Sequence, residues 1–195
     1  MQGVRNIEHR CSYVNMKNPI YISYHDTEWG VPEHSDQKLY EFLVLEFFQA
    51  GLSWECILNK RENFRIAFDG FDIDKICSYD EAKCAELMNN PDIIRNRRKI
   101  TAAVNNSKIF KEIQREYGSF DAYIWGFTNG ETIVEDYHLR TTSPLSDIIS
   151  KDLKKRGMTF VGSTTIYSYL QAIGILNAHG SECDLCPGKR RAWNE

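Results

Sequence analysis

The sequence predicts an all-α fold, and three observations support this. Apolar side chains recur at helical spacing in successive segments of the 195 residues, whereas the alternation typical of β-strands is almost absent. Capping residues, glycines and prolines separate these segments. With 42% hydrophobic and 26% charged residues, the composition is that of an ordinary globular protein, long enough to bury a sizeable core.

The first two predicted helices flank a glycine turn. Ser35 can cap a helix over residues 36–50, which Gly51 ends. Ser53 can cap the next helix, which is expected to end at about residue 69. The two helices leave an exposed corner at the turn.

The middle of the chain continues in helices. A capping box of Ser78 and Glu81 predicts a helix that stops before Pro91. A long helix is expected over residues 96–117, with a glycine directly after it, and a short one over residues 119–125.

Two further helices enclose a hairpin. Residues 127–143 are predicted to form a loop, and Pro144 suits the first turn of a helix that ends near Gly157. Ser163 can cap a last helix that ends at Gly174. Backbone N–H groups of the intervening hairpin, together with the following helix N-terminus, can bind a phosphate. The pattern alone favours an ordinary helical hairpin with a glycine cap.

Glu46 occupies a position where the helical pattern requires an aliphatic residue. On a helix it shares a face with Leu39, Phe42, Leu43 and Ala50. Burying an ionised carboxylate without a partner is costly, so such a residue normally faces a ligand or a compensating group. The pattern alone equally allows a structural carboxylate satisfied by backbone N–H groups or an arginine.

Two thiols and two imidazoles lie near the chain ends, Cys11 with His25 and His179 with Cys183. Such a Cys2His2 set suits tetrahedral zinc, and four protein ligands leave no open position, so a zinc ion there would be structural. The long spacing matches no common zinc finger. Cys183 with Cys186 is a local alternative metal pair.

The charge distribution is more informative than the total. The net charge of −3 weakly disfavours a nucleic-acid partner. Basic clusters at residues 95–99, 151–156 and 189–191 nevertheless hint at a local basic surface. We expect a cytoplasmic protein with no membrane partner, because apolar runs long enough to span a bilayer and a signal-peptide core are both absent.

Four motifs resemble those of the 3-methyladenine DNA glycosylase I family. They are YISYHDTEWGVP at 21–32, LEFFQAGLSW at 45–54, KRENF at 60–64 and KKRGMTFVG at 154–162. The resemblance covers nearly the whole chain and implies an all-α fold of the helix–hairpin–helix DNA glycosylase superfamily. It implies one glycosylase unit over residues 1–195, with a helical lobe at about 35–175. Terminal segments at about 11–34 and 176–186 complete the lobe, and a zinc site ties them together.

The resemblance also implies roles for single residues. Glu46 matches the catalytic-site carboxylate that hydrogen-bonds a flipped-out base, and Leu52 matches the apolar wedge that fills the gap in the duplex. The zinc ligands fall on Cys11, His25, His179 and Cys183. The base-binding aromatic residues are Tyr13, Tyr21, Tyr24, Trp29 and Trp54, where Tyr13 replaces a frequent tryptophan. Further DNA contacts fall on the hairpin residues Gly157, Gly162 and Ser163.

The activity implied is excision of 3-methyladenine from alkylated double-stranded DNA, which leaves an abasic site. An anionic Glu46 between aromatic faces would favour the cationic methylated base over adenine. Strand-cutting relatives use a lysine early in the helix after the hairpin, and residues 163–168 contain none, so a monofunctional enzyme is expected. The expected ligands are one structural zinc ion and 3-methyladenine as product, bound to a monomer.

Two other functional classes remain open. One is a non-catalytic, zinc-stabilised binder of alkylated DNA, which a base-release assay would distinguish from an enzyme. The other is a zinc-dependent hydrolase, which the closed four-ligand set opposes.

Overall fold

The fold is helical, as predicted, and packs around one buried helix. The structure, a computed structural model, describes residues 7–135 and 140–187. Within these ranges the α-helices are α1 (Pro19–Thr27), α2 (Asp36–Gln49), α3 (Trp54–Leu58), α4 (Arg61–Ala67), α5 (Ile73–Cys77), α6 (Glu81–Asn89), α7 (Arg97–Tyr117), α8 (Phe120–Gly126), α9 (Pro144–Lys155) and α10 (Ser163–Ala172). None of the described helices is long and apolar enough to cross a membrane.

Helix α2 forms the centre of the core. Every residue from Leu39 to Phe48 is buried, because apolar residues surround the helix axis and α3, α7, α8 and α10 pack against it. The prediction of a single buried face was therefore incomplete, and Ala50, which the sequence pattern places near that face, is exposed. Lys99 Nζ donates to the carbonyls of Phe48 and Ala50, at 2.8 and 2.7 Å. This ammonium group satisfies the C-terminal end of α2.

The predicted Ser53 cap is confirmed, since its hydroxyl accepts from the Cys56 N–H at the start of α3, whereas the predicted Ser35 cap forms no side-chain hydrogen bond to α2. Other predicted helix boundaries are also present. The Asn96 side chain accepts from the Lys99 N–H at the start of α7, and Gly118, with φ 90°, ends that helix. Ser119 caps α8 through the Ala122 N–H. Pro144 occupies the first turn of α9, as expected.

Three predicted boundaries were wrong because side chains bond elsewhere. The Ser78 hydroxyl donates to the Lys75 carbonyl at the end of α5, and Asp80 caps α6 instead. Gly162 is the N-cap of α10, while the Ser163 hydroxyl bonds to residues of α9. The predicted single helix after Ser53 divides into α3 and α4. At the division, the Asn59 side chain accepts a hydrogen bond from Asn18, a tertiary contact without a local signal.

A short parallel pairing interrupts the predicted loop 127–143. Strand β1 (Ile133–Val134) pairs with β2 (Leu176–Asn177), with Ile133 opposite Leu176. The next N–H, that of Glu135, donates to the Asn177 carbonyl at 3.0 Å. The pairing therefore fixes the position of Glu135 relative to the segment that follows α10.

The segment after α1 packs against the end of α10. The Gly30 N–H donates to the Gln171 carbonyl at 2.9 Å, and the Glu33 N–H donates to the Ile173 carbonyl at 3.0 Å. Gly174 has φ +77°, and a Cβ atom there would lie 2.3 Å from the Val31 carbonyl carbon. Glycine is required at this position because two stretches of backbone meet.

We expect Gly174→Ala to destabilise the protein by more than the ~1 kcal/mol typical of placing alanine at a left-handed glycine. Gly118→Ala is the matched control, because Gly118 also has a positive φ but a Cβ atom there would meet nothing within 4 Å. Urea unfolding of both variants measures the difference. Equal losses would mean that the backbone at Val31 moves aside without penalty.

Candidate functional site

A pocket of about 270 Å³ lies between α1, α2, α3 and α10. Glu46 lines it. The five aromatic residues predicted for base binding also line it, namely Tyr13, Tyr21, Tyr24, Trp29 and Trp54. This volume is at the small end for ligand sites and suits one flat ring system. The structure thus brings the predicted base-binding residues together around one carboxylate.

The Glu46 side chain is buried and has no partner in the described part of the chain. The residue is 4% exposed, and its carboxyl group forms no hydrogen bond or ion pair with any residue that the structure describes. The arginine of the structural alternative is engaged elsewhere, since Arg61 pairs with Glu28 and Glu41. Burial raises the pKa of Glu46 to about 8. Burial thus favours the protonated carboxyl group, and a cation held beside it would shift the balance towards the carboxylate.

The aromatic walls come from short, well-anchored elements. Tyr21 and Tyr24 are one turn apart on α1, and the Tyr24 ring lies 5.3 Å from that of Trp54, centroid to centroid. Tyr13 packs edge-on against Trp29 at 5.4 Å. The indole N–H of Trp54 is buried and has no acceptor among the described residues. A ring nitrogen of a bound base would satisfy this donor.

The pocket wall that α10 contributes was not predicted from the sequence. Four residues of α10 line the pocket, namely Thr164, Tyr167, Ser168 and Gln171. Three lining residues outside α10 were also not predicted, namely Gln49, Arg140 and Thr141. The α10 members recur at intervals of three and four residues, which places them on one face. A polar stripe along an otherwise apolar helix was the available signal, the same kind of signal that identified Glu46.

Leu52 lies at the exposed corner predicted between the first two helices. It is 39% exposed and follows Gly51, whose φ is +85°. Its N–H donates to the Gln49 carbonyl at 2.7 Å, which closes the turn beside the pocket-lining residues Gln49 and Trp54. An apolar side chain is thus presented to solvent next to the pocket.

The hairpin between α9 and α10 presents backbone donors. Gly157, with φ +99°, ends α9, and the Asn106 side chain bonds to both the N–H and the carbonyl of Thr159, at 3.0 and 2.9 Å. The N–H groups from Phe160 to Ser163 have no acceptor within the described residues. The Ser163 hydroxyl is engaged by Asp147 and Ser146, so its N–H is the group available to a ligand.

Four buried metal-ligand side chains meet where the chain ends pack together. One ligand atom each from Cys11, His25, His179 and Cys183 lies within 4.8 Å of the others. Cys183 Sγ is 3.5 Å from His179 Nδ1 and 3.7 Å from His25 Nε2. Bond lengths of about 2.3 Å to sulfur and 2.0–2.1 Å to nitrogen give a tetrahedron edge of about 3.6 Å, so the set fits a zinc-sized ion. Cys186 lies outside this set.

Outer hydrogen bonds orient both histidines for metal binding. His25 Nδ1 is 2.8 Å from Asp26, which Arg10 holds in turn, so the Nε2 atom faces the cluster. His179 Nε2 is 3.1 Å from the Trp29 carbonyl, which leaves Nδ1 facing the cluster. Partners of this kind commonly fix the tautomer of metal-binding histidines. Burial also lowers the pKa of His25, which favours the neutral, ligating ring.

The metal-type cluster and the pocket share structural elements. The centroid of the Trp29 ring lies 4.7 Å from that of His179, and the centroid of the Tyr13 ring lies 6.1 Å from that of His25. Together, fold and pocket define a helical protein built to hold a flat ring system against a buried carboxyl group. The family model described as methyladenine glycosylase matches residues 14–186, so the chain belongs to that family.

Individual members of this family align with nearly the whole of this chain. It is 40% identical to DNA-3-methyladenine glycosylase 1 of Escherichia coli K12, over 93% of this chain and 98% of that protein. A crystal structure of a 3-methyladenine DNA glycosylase I superimposes with a TM-score of 0.87 at 41% identity, covering 91% of this chain and 100% of the other. A single-residue variant of such an enzyme, solved in complex with 3-methyladenine, gives 0.85 at 35% identity, covering 88% and 95%.

The pKa of Glu46 predicts an unusual pH dependence of stability. Because the folded-state pKa is raised from 4.5 to about 8, the wild type loses stability as pH rises through this range. Glu46→Gln replaces the titrating carboxyl group with an amide, and the free-energy cost of burying that amide does not depend on pH. We expect the stability difference between variant and wild type to shift in favour of the variant by about 3 kcal/mol from pH 5 to pH 8. Chemical unfolding at several pH values measures this, and a difference that stays constant would contradict it.

Proposed function

We propose that the protein is a monofunctional DNA glycosylase that excises 3-methyladenine from alkylated double-stranded DNA and leaves an abasic site. The observation that carries the proposal is Glu46, which is buried in an aromatic pocket and has no partner among the residues that the structure describes. A native protein seldom keeps a buried polar group unsatisfied unless a ligand completes it. Family membership supplies the substrate class.

The pocket selects the methylated base by charge and by hydrogen bonding. The target base must leave the duplex stack, and the aromatic walls replace the stacking it loses. Adenine methylated at ring nitrogen 3 is cationic while attached to the sugar, so its entry favours ionised Glu46 and release of the carboxyl proton. The carboxylate accepts from the exocyclic amine, and the Trp54 indole N–H donates to a ring nitrogen. Breaking the glycosidic bond returns the electron pair to the base and neutralises its charge.

The DNA-binding surface that we propose lies on either side of the pocket. Leu52 would fill the gap that the flipped nucleotide leaves. The hairpin would bind a backbone phosphate through N–H groups of Gly162 and Ser163, at the N-terminus of α10. Gly157 would contribute conformation rather than contact, because its φ of +99° sets the direction of the hairpin. A Cβ atom at Gly162 would meet nothing within 4 Å, so the fold itself has room for a Gly162→Ala side chain beside the proposed phosphate site.

We also propose one structural zinc ion, held by Cys11, His25, His179 and Cys183, and membership of the helix–hairpin–helix superfamily. Two helices joined by a short hairpin support the second point. Zinc would supply a cross-link between the two ends of a single unit over residues 1–195. That the protein acts as a monomer in the cytoplasm stays a prediction from the sequence.

The alternative functions make different demands. A non-catalytic binder of alkylated DNA would have no need to bury an unpaired carboxyl group in the base pocket. A zinc-dependent hydrolase would need an open coordination position, whereas the four side chains of this cluster can occupy all four positions around a tetrahedral ion.

Purified protein should release 3-methyladenine from methylated duplex DNA and leave intact strands with abasic sites. Glu46→Gln should lower the rate by about 10- to 150-fold, since one charge-assisted hydrogen bond is worth about 1.5–3 kcal/mol. Chromatography of released bases measures the activity. Borohydride should trap no protein–DNA adduct, because water is the only nucleophile. Binding of methylated DNA without base release would favour the non-catalytic alternative.

Leu52→Ala should slow excision from duplex DNA by more than it weakens binding of free 3-methyladenine. The leucine is placed beside the pocket rather than within it, so its loss removes the wedge and leaves the base site. Excision rates and calorimetric titration with the free base measure the two effects. Ile66→Ala, at an exposed leucine-sized side chain on α4, is the control for loss of surface apolar area. Equal effects of Leu52→Ala on both measurements would place Leu52 in the pocket lining.

Protein purified without chelators should contain one zinc ion per chain. Cys183→Ala should abolish stoichiometric zinc and lower the melting temperature, because metal binding to a folded site stabilises the fold. Cys186→Ala should change neither, since this thiol lies outside the ligand set. Elemental analysis and thermal unfolding measure both effects. Loss of zinc from the Cys186 variant alone would mean that the wrong thiol is assigned.

A further inference from the structure

Two clusters in the described part of the chain can be compared, because in each a tyrosine hydroxyl donates to a carboxylate that an arginine also contacts. In the first, Tyr123 donates to Asp152 at 2.9 Å, and Arg156 donates to the same carboxylate oxygen at 2.7 Å. This cluster joins α8 to α9 and contributes no residue to the base pocket. It has the character of a structural contact between helices.

The second cluster lies at the pocket. Tyr167 donates to Glu135 Oε2 at 2.9 Å, and Arg140 Nε lies 3.5 Å from the same oxygen. Tyr167 and Arg140 both line the pocket that contains Glu46. Since Tyr167 uses its proton on Glu135, its oxygen can act as an acceptor inside the pocket, where Gln171 is one donor and a lone pair remains for another.

Glu135 is held in place by the backbone. Its N–H donates to the Asn177 carbonyl at 3.0 Å, directly after the β1–β2 pairing. The side chain is 14% exposed, so it is largely shielded while keeping contact with solvent. The carboxylate is therefore a fixed acceptor for Tyr167 rather than a freely rotating surface group.

The position of Tyr167 along α10 matches the expected place of the sugar. This step rests on the proposed function. A nucleotide with its phosphate on the hairpin before α10 and its base against Glu46 must pass its sugar along the first turns of α10. Thr164 and Tyr167 are the pocket-lining residues of those turns.

We propose that Tyr167 is a catalytic residue and that Glu135 acts through it, as a proton relay for the water that attacks the sugar. As the water oxygen bonds to C1′, a water proton passes to the Tyr167 oxygen and the Tyr167 proton passes to Glu135. The bond from C1′ to the base breaks, and its electron pair neutralises the departing base. Glu135 then returns the proton to solvent. No further reactant is required.

The surroundings suit this role. Tyr167 is 3% exposed, and burial, reinforced by Glu135, raises its pKa to about 12. The hydroxyl group therefore holds its proton until water supplies another. Arg140 balances the charge of Glu135 and leaves the relay neutral overall before the step.

The test compares the two clusters in single-turnover excision. Tyr167→Phe and Glu135→Gln should each slow base release from methylated duplex DNA by on the order of 100-fold, the usual contribution of general-base catalysis. The double variant should be no slower than either single variant, because the two groups act as one unit. Binding of free 3-methyladenine should stay within about twofold of wild type. Tyr123→Phe and Asp152→Asn are the matched controls and should excise at the wild-type rate.

The outcomes separate the relay from the proposed function. A wild type that releases no 3-methyladenine overturns the proposed function. An active wild type with an equally fast Tyr167→Phe variant overturns the relay alone. Equal losses of rate and free-base affinity would make Tyr167 a base-binding wall. If Tyr167→Phe fails to fold, Glu135→Gln decides, and full activity of a folded Glu135→Gln variant overturns the relay.

Discussion

Burial of α2 from Leu39 to Phe48 is the constraint on which the rest of this structure depends. Because every side chain from Leu39 to Phe48 is enclosed, the surrounding helices must cover all sides of one axis. Polar groups of these neighbours bond to the α2 backbone at two places. Tyr169 on α10 donates to the Leu39 carbonyl, and Lys99 on α7 donates to carbonyls at the other end. The core is therefore both apolar and hydrogen-bonded at its centre.

Two buried polar groups of this interior lie in the same place. The Glu46 carboxyl group and the Trp54 indole N–H lack protein partners in the described residues, and both belong to the same pocket. A helix optimised only for stability would carry an aliphatic residue at position 46. The penalty for burying a charge there appears in the raised pKa. A cationic base can offset that penalty, which a neutral base cannot do.

The cluster of cysteines and histidines connects this chemistry to the chain ends. His25 follows Tyr24 directly on α1, so one helix supplies both a pocket wall and a metal-type ligand. Trp29 contributes its ring to the pocket and its carbonyl to His179. Ordering of the two termini and shaping of the pocket are therefore coupled through shared residues. A change that loosens the cluster should disturb the aromatic walls before it reaches the centre of α2.

The sequence by itself determined the features that depend on local chemistry. A cap such as Ser53 acts on an N–H group two or three residues away, so it marked a helix start without knowledge of the fold. A carboxylate in an apolar helix and four metal-ligand side chains were also visible as residue types. Only the tertiary structure decided which distant groups meet. Glu135 lay in a predicted loop, and its bond to Tyr167 exists because β1 pairs with a segment that follows α10. The pKa of Glu46 likewise depends on what surrounds the carboxyl group, since desolvation is a property of the packed environment rather than of the residue.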